Sequence, residues 1–254
     1  MSEKKISEIQ QEFKQSSDEV LPDFIDQYIK DGRPGVSKII ALAQKRMDKL
    51  RVEQERIEKL KYYEKQYQDE YEYIGGIDEV GRGPLAGPVV TACVILPKDC
   101  NILYINDSKK LSASKREELY DIIMREAISV SFGVNSEQRI DEINILQATY
   151  EAMRQAIRES KVQPDLLLND AVTIPEVSIK QVPIIKGDSK SILIGAASIV
   201  AKVTRDRMMM EYDKLYPVYS FASNKGYGTK EHIEAIKKFG PCPIHRNSFI
   251  GNFV

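Results

Sequence analysis

The sequence predicts an α/β fold, a sheet flanked by helices, preceded by a helical amino-terminal extension. Three observations carry that expectation. The chain has 254 residues and is 42% hydrophobic, enough for one substantial core plus an appended element. Up to about residue 71 it is charge-rich and has no strand-like run. From Tyr73 onward, short apolar runs alternate with helical periods. The division expected is therefore an extension over 1–71 and a main domain over 72–254.

In the extension, Asp31-Gly-Arg-Pro-Gly35 breaks the helical pattern, and a long helix is expected from Val36 towards Gln68. Its apolar positions Ile39, Leu42, Leu50, Ile57 and Leu60 keep no sustained heptad, so no coiled coil is expected. Tyr62, Tyr63, Tyr67, Tyr71 and Tyr73, interleaved with lysines, suit either stacking on bases or packing of the arm on the body. Strands are expected over 73–78, 89–96, 129–134, 165–170 and 182–186. Ser114, with Glu117 three residues on, reads as a capping box opening a helix that reaches Ala127. Further helices are expected over 145–160, 192–216 and 229–239. There is no internal repeat and no low-complexity tract.

Composition narrows the function classes. Lys and Arg number 37 against 38 Asp and Glu, a net charge of -1, so a nucleic-acid partner must be gripped locally rather than by a global positive field. Cys93, Cys100 and Cys242 form no C-x-x-C pair, and their odd count suits structural thiols in a reducing compartment. The longest apolar run, Pro88 to Pro97, is far short of a membrane span, and the charged start has no signal-peptide core. A cytoplasmic monomer with no membrane association is expected.

Asp78 and Glu79 end the first expected strand, Asp170 ends the fourth, and Asp188 follows the fifth by two residues. In open α/β sheets that carboxyl-terminal edge is where ligands bind. If those strands lie side by side and parallel, the acids converge and repel unless a cation neutralises them. Oxygen ligands without suitably spaced histidine or cysteine select Mg²⁺ or Mn²⁺ over zinc. Two such ions about 4 Å apart can activate a water and stabilise the departing oxygen of an in-line phosphoryl displacement. Taken singly, Asp188 could simply cap a helix and Asp170 could end a strand into a turn. Four acids at equivalent strand ends are harder to explain that way.

Gly81-Arg-Gly-Pro-Leu-Ala86 formally matches a dinucleotide-binding loop. That reading needs a helix next, whereas Pro84 and Pro88 bracket the loop and Val89-Val-Thr-Ala-Cys-Val-Ile-Leu96 reads as a strand, so a hairpin-like return is expected. Gly81, Arg82 and Gly83 can bring backbone amides close to a sugar-phosphate, or simply make a tight turn. Lys109 and Lys110 can reach phosphates or stay solvated.

Taken together, Gly76-Ile-Asp-Glu-Val-Gly-Arg-Gly-Pro-Leu-Ala-Gly-Pro88, Asn106-Asp-Ser-Lys-Lys-Leu-Ser112, Lys186-Gly-Asp-Ser-Lys-Ser191, Ala196-Ala-Ser-Ile-Val-Ala-Lys-Val-Thr-Arg-Asp206, Lys225-Gly-Tyr-Gly-Thr229 and Gly240-Pro-Cys-Pro-Ile-His-Arg246 resemble ribonuclease HII, in that family's motif order, from about Tyr71 onward. The resemblance implies a ribonuclease H-like mixed five-stranded sheet flanked by helices. It also implies an endonuclease that acts on the RNA strand of RNA-DNA hybrids, cuts 5′ of single ribonucleotides in duplex DNA, and leaves 5′-phosphate and 3′-hydroxyl ends. By motif match, Asp78, Glu79, Asp170 and Asp188 become catalytic, metal-binding acids for two Mn²⁺ or Mg²⁺ ions. Gly81, Arg82 and Gly83 become contacts to the ribonucleotide, Lys109 or Lys110 a phosphate contact, and Tyr227 the residue that senses the RNA-DNA junction by packing on a deoxyribose. The sequence departs from the family at Ala171, where glycine often follows the aspartate, and at Ser189, often alanine. The extension is left with three roles: duplex gripping, core packing, or docking onto a replication or repair partner.

Two other classes compete. A metal-independent ribonuclease would need paired histidines, and His232 and His245 are the two in the chain. His232 reads as a surface residue early in a helix, and His245 as ordering the tail. A non-catalytic hybrid-binding module would need basic and aromatic surface rather than clustered acids.

Overall fold

The computed structural model describes residues 4–252 and divides into two compact units, one up to Glu58 and one from Lys59 onward. The first contains α1 (Ile6–Gln15), α2 (Leu21–Tyr28) and most of α3 (Pro34–Leu60). α3 starts at the expected break, with Pro34 in the first turn, where its missing N–H costs nothing. Ile9, Leu21, Phe24, Tyr28, Val36 and Ala43 form this unit's own buried core. The expected long helix stops at Leu60, and a short α4 (Tyr62–Tyr67) follows.

The second unit is built on a five-stranded mixed sheet of order β3-β2-β1-β4-β5: β1 (Ile74–Val80), β2 (Val89–Ile95), β3 (Ser129–Asn135), β4 (Leu166–Asp170) and β5 (Lys180–Ile184). The first three strands pair antiparallel, while β4 pairs parallel to both β1 and β5. The interior strand β2 is buried throughout, so its sequence reads as a continuous apolar run; the edge strand β3, covered on one face, alternates. α5 (Ala113–Glu126), α6 (Glu137–Arg158), α7 (Ile192–Leu215), the one-turn α8 (Phe221–Asn224), α9 (Lys230–Phe239) and the short α10 (Asn247–Ile250) complete the unit. α7 lies across β1 so closely that a Cβ on Gly76 would collide with the backbone of Leu193.

Four expected boundaries move. β1 extends past Asp78 to Val80, because it keeps pairing with β2 as far as Val80 opposite Val90. β5 lies two residues earlier than expected: Lys180 and Gln181 belong to it, since an edge strand with a wet face tolerates polar residues and Pro183. α5 is capped by Ser112, whose Oγ accepts from the Lys115 N–H, and not by Ser114; Glu117 instead pairs with Arg207. α6 begins at Glu137 but breaks at Asn144 (φ 66°), whose side chain caps the second half by accepting from the N–H groups of Leu146 and Gln147. That second half is the expected helix.

The three cysteines are free, with Cys93 and Cys100 buried. Tyr67 and Tyr71 pack edge to face at 6.4 Å with Lys180 over both rings, so this part of the tyrosine run packs on β5. Among the described residues, no helix is long and apolar enough to cross a membrane.

Candidate active site

β1, β4 and β5 are neighbours and run parallel, which is the condition under which their acids meet. The last β1–β4 pair is Ile77 with Asn169, so Asp78 and Asp170 occupy the next position along the two strands. Beyond that pair β1 has a neighbour on only one side, and both Asp78 and Glu79 reach the same space although strand residues alternate in direction. Asp188 arrives from the one-turn segment Gly187–Ser189, four residues after Ile184 rather than two. The four carboxylates line one cavity of about 440 Å³, together with Ser108, Lys109, Ser198, Lys202 and Tyr227.

Three of the acids are anchored locally. Asp170 Oδ1 accepts from the Gly187 N–H at 2.7 Å, which ties β4 to the turn carrying Asp188. Asp78 Oδ1 accepts from the Glu79 N–H at 2.8 Å, and Glu79 Oε1 accepts from Arg82 Nη1 at 3.3 Å. Burial pushes the Asp78 carboxyl well above the usual range, and the charges of Glu79 and Asp170 add to that. Glu79 is raised by burial against the opposing charge of Arg82. Asp188 is raised by burial and by Asp107 and Asp170. Buried, mutually repelling carboxylates of this kind call for a cation.

The donor set is all oxygen, which fits Mg²⁺ or Mn²⁺. Among the described residues, no three His, Cys, Asp or Glu side chains already stand at ligating geometry. Asp78, Glu79 and Asp170 each turn one oxygen to a neighbouring donor, and side-chain rotation must close the set around an ion.

The glycine loop leads into β2 as expected, not into a helix. Gly81 has φ +94°, and a Cβ there would strike Arg205. Two fully buried arginines hold the loop by its carbonyls. Arg205 donates to the carbonyls of Pro88, Ala86 and Lys225. Arg246 donates to those of Gly81, Arg82, Pro84 and Gly87. Burial lowers their pKa values to about 10 and about 9, which leaves both cationic at neutral pH. Leu85 and Gly87 donate their N–H groups to the carbonyls of Gly226 and Ile244, and Arg82 and Gly83 are the exposed residues of the loop. A Cβ added at Gly83 would stand 3.9 Å from Tyr227 Cε1, so the half-exposed Tyr227 ring sits beside the loop. Lys109 lines the cavity, whereas Lys110 is 3.7 Å from Asp107 and largely exposed.

The histidines are elsewhere. His232 is not a surface residue: it is fully buried against Phe221 and Tyr219, because the first turn of α9 packs inward. His232 Nδ1 lies 2.8 Å from the Tyr227 carbonyl, its Nε2 lies 3.0 Å from His245 Nε2, and His245 Nδ1 accepts from the Cys242 N–H. Burial lowers both pKa values, that of His245 to about 4. This buried pair supports the Tyr227 segment and does not reach the cavity of acids.

Sequence reasoning missed Ser108, Ser198 and Lys202 in the cavity, and the roles of Arg205 and Arg246 outside it. For Arg205 there was a signal: Ala201, Arg205 and Met209 recur at helical spacing on a wholly buried face. A lone cation on such a stripe must find buried acceptors.

A mixed sheet with acids gathered at the ends of its parallel strands is the plan of a phosphoryl-hydrolysing enzyme with an oxygen-ligand metal site. Comparison with known proteins names the family. A family model described as ribonuclease HII matches residues 75–252, and one described as ribonuclease HII N-terminal domain matches residues 5–68. Ribonuclease HII of Lachnoclostridium phytofermentans is 62% identical over 98% of this chain and 97% of its own. That of Clostridioides difficile is 50% identical over the whole of both chains. Among solved structures, the ribonuclease H2 of Pyrococcus horikoshii OT3 matches with a TM-score of 0.58 at 26% identity, over 71% of this chain and 98% of that one. The ribonuclease HII of Archaeoglobus fulgidus, solved in complex with PCNA, matches with a TM-score of 0.59 at 27% identity, over 71% and 96%. The chain belongs to the ribonuclease HII family. It is a ribonuclease H, a hydrolase acting endonucleolytically on the RNA of RNA-DNA hybrids.

Proposed function

We propose that the enzyme also incises duplex DNA 5′ of a single embedded ribonucleotide, as the opening step of ribonucleotide excision, with Asp78, Glu79, Asp170 and Asp188 as ligands for two divalent ions, Mn²⁺ or Mg²⁺. The observation that carries this reading is the meeting, in one cavity, of those four acids with the Tyr227 ring, which stands beside the Gly81–Gly83 loop. Ions held there would supply activation of the attacking water and neutralisation of charge on the departing oxygen. Hydrolysis forms a new P–O bond on the 5′ side of the ribonucleotide and breaks the P–O3′ bond, leaving 5′-phosphate and 3′-hydroxyl ends.

The chain's own groups do the rest. The Gly81 and Gly83 backbone, with Arg82 beside it, meets the ribose 2′-hydroxyl and adjoining phosphate at close range. Lys109 or Lys110 holds the phosphate backbone, and Lys109 is the one of the two that lines the cavity. The face of Tyr227 takes the following sugar and favours one lacking a 2′-hydroxyl. Residues 1–71 serve as an extension to a catalytic domain over 72–254, with duplex gripping, core packing, or docking to a replication or repair protein as its task.

The test is cleavage of a DNA duplex carrying one ribonucleotide, with Mg²⁺ or Mn²⁺, with and without EDTA, mapping the cut and its ends. A metal-dependent cut 5′ of the ribonucleotide, absent in Asp78→Asn, is expected. Cleavage of long hybrids without any cut at the single ribonucleotide would remove the excision reading.

A further inference from the structure

Glu64 lies outside the cavity of acids, on α4, yet its carboxylate is buried against the start of α7. Its Oε1 accepts from Ser191 Oγ at 2.5 Å and from the Leu193 N–H at 3.1 Å. Its Oε2 is sealed from solvent with no hydrogen-bond partner among the described residues. A buried carboxylate with one idle oxygen is costly, and burial raises its pKa. The compensation lies in what Oε1 holds.

Ser191 is the amino-terminal cap of α7, with its Oγ accepting from the Ile194 N–H at 3.2 Å. Ser191 also closes the turn that carries Asp188, its N–H donating to the Gly187 carbonyl at 2.9 Å. Gly187 in turn donates to Asp170. On the other side, Leu193 lies directly on Gly76, two residues before Asp78. Glu64 therefore grips the junction between the Asp188 turn and the helix laid across β1, and its charge suits the amino-terminal end of a helix of 24 residues.

We propose that Glu64 is a positioning residue for the active site: by accepting from Ser191 Oγ and Leu193 N–H, it sets the Gly187–Ser191 turn at the spacing at which Asp188 shares an ion with Asp78 and Asp170. The proposal rests on the metal-site reading of Asp188 and extends the active-site support to α4. It requires one acceptor at Oε1 and no charge at Oε2, so glutamine can replace glutamate and alanine cannot.

The experiment compares Glu64→Ala, Glu64→Gln, Asp188→Asn and Met153→Ala, the last a core truncation on α6 that controls for lost stability. For each, kcat and KM on an RNA-DNA hybrid, the Mn²⁺ concentration for half-maximal rate, and amide exchange across 187–195 in metal-free protein are measured. Glu64→Ala should lower kcat and raise the half-saturating Mn²⁺ concentration by about ten-fold or more, with KM little changed, as loss of an outer support does. Its Leu193 and Gly195 amides should exchange faster without metal. Glu64→Gln should restore all three properties to within about three-fold. If Glu64→Ala matches Met153→Ala in kcat and Mn²⁺ requirement, or if Glu64→Gln is as impaired as Glu64→Ala, the assignment of Glu64 fails. If instead Asp188→Asn keeps full activity, it is the reading of the metal site that fails.

Discussion

Replacing Arg246 tests how the glycine loop is held. The side chain is fully buried and makes five hydrogen bonds to four carbonyl oxygens, those of Gly81, Arg82, Pro84 and Gly87, at 2.5–3.0 Å. Its guanidinium also lies 5.1 Å from the Phe249 ring. Truncation to alanine leaves four acceptors unpaired at about 1–3 kcal/mol each, less whatever water enters the space restores. A net loss of about 3–5 kcal/mol of unfolding free energy follows, the range for breaking a buried charged network. Arg246→Lys is no rescue: an ammonium has three donors on one atom and cannot span four carbonyls, so it should lose most of the same stability. Urea unfolding of wild type, Arg246→Ala and Arg246→Lys gives the magnitudes, and kcat/KM on a hybrid below the unfolding range should fall more than ten-fold from a displaced loop, about 1.4 kcal/mol or more in transition-state energy. A loss under about 1 kcal/mol with unchanged kcat/KM would refute the argument that this one side chain builds the loop.

Three further outcomes are expected. Tyr227→Phe should leave incision at a single ribonucleotide within about three-fold, while Tyr227→Ala should lower it more than about ten-fold, since ring area and not the hydroxyl does the packing; equal rates for Tyr227→Ala and wild type remove the sensing role. His245 is held at about 4, below the 6.5 of an unfolded histidine, so between those values the unfolded chain binds more protons and stability falls as pH drops from about 6.5 towards 4. That shift is worth at most about 3 kcal/mol, and because the raised carboxyls of Asp78 and Glu79 act in the opposite sense, it is read as the wild-type minus His245→Asn difference in unfolding free energy across that window; a flat difference refutes it. Ala171, with φ 56°, sits where a left-handed residue is needed, and Ala171→Gly should stabilise by about 0.5–1 kcal/mol once glycine's greater unfolded-state entropy is set against the relieved strain; thermal unfolding that falls instead would show the backbone is not strained there.

Ala171 also shows how much of the fold and site was legible beforehand. The family's glycine was visibly missing in the sequence, but only the backbone shows that alanine accepts the glycine conformation instead. The five strands were legible because a buried run such as Val89–Ile95 and an alternating one such as Ser129–Asn135 each leave a pattern in composition. β5 shifted because an edge strand leaves only a weak pattern: Lys180 and Gln181 are held by pairing with Leu166 and Leu167, which no local signal encodes. The four acids were found because each is near a strand end, a property of the local chain. Arg205, Arg246 and Glu64 were not, because each works through partners 20 to 165 residues away where local periodicity carries no information. The misread histidine belongs to the same class: α9 buries the face that carries His232, and its partner His245 comes from the segment after Gly240. The chemistry of this site is thus written in short motifs, while its precision is set by buried polar groups whose burial is itself the sign of a supporting role, since an ionisable side chain without acceptors or donors could not be kept there.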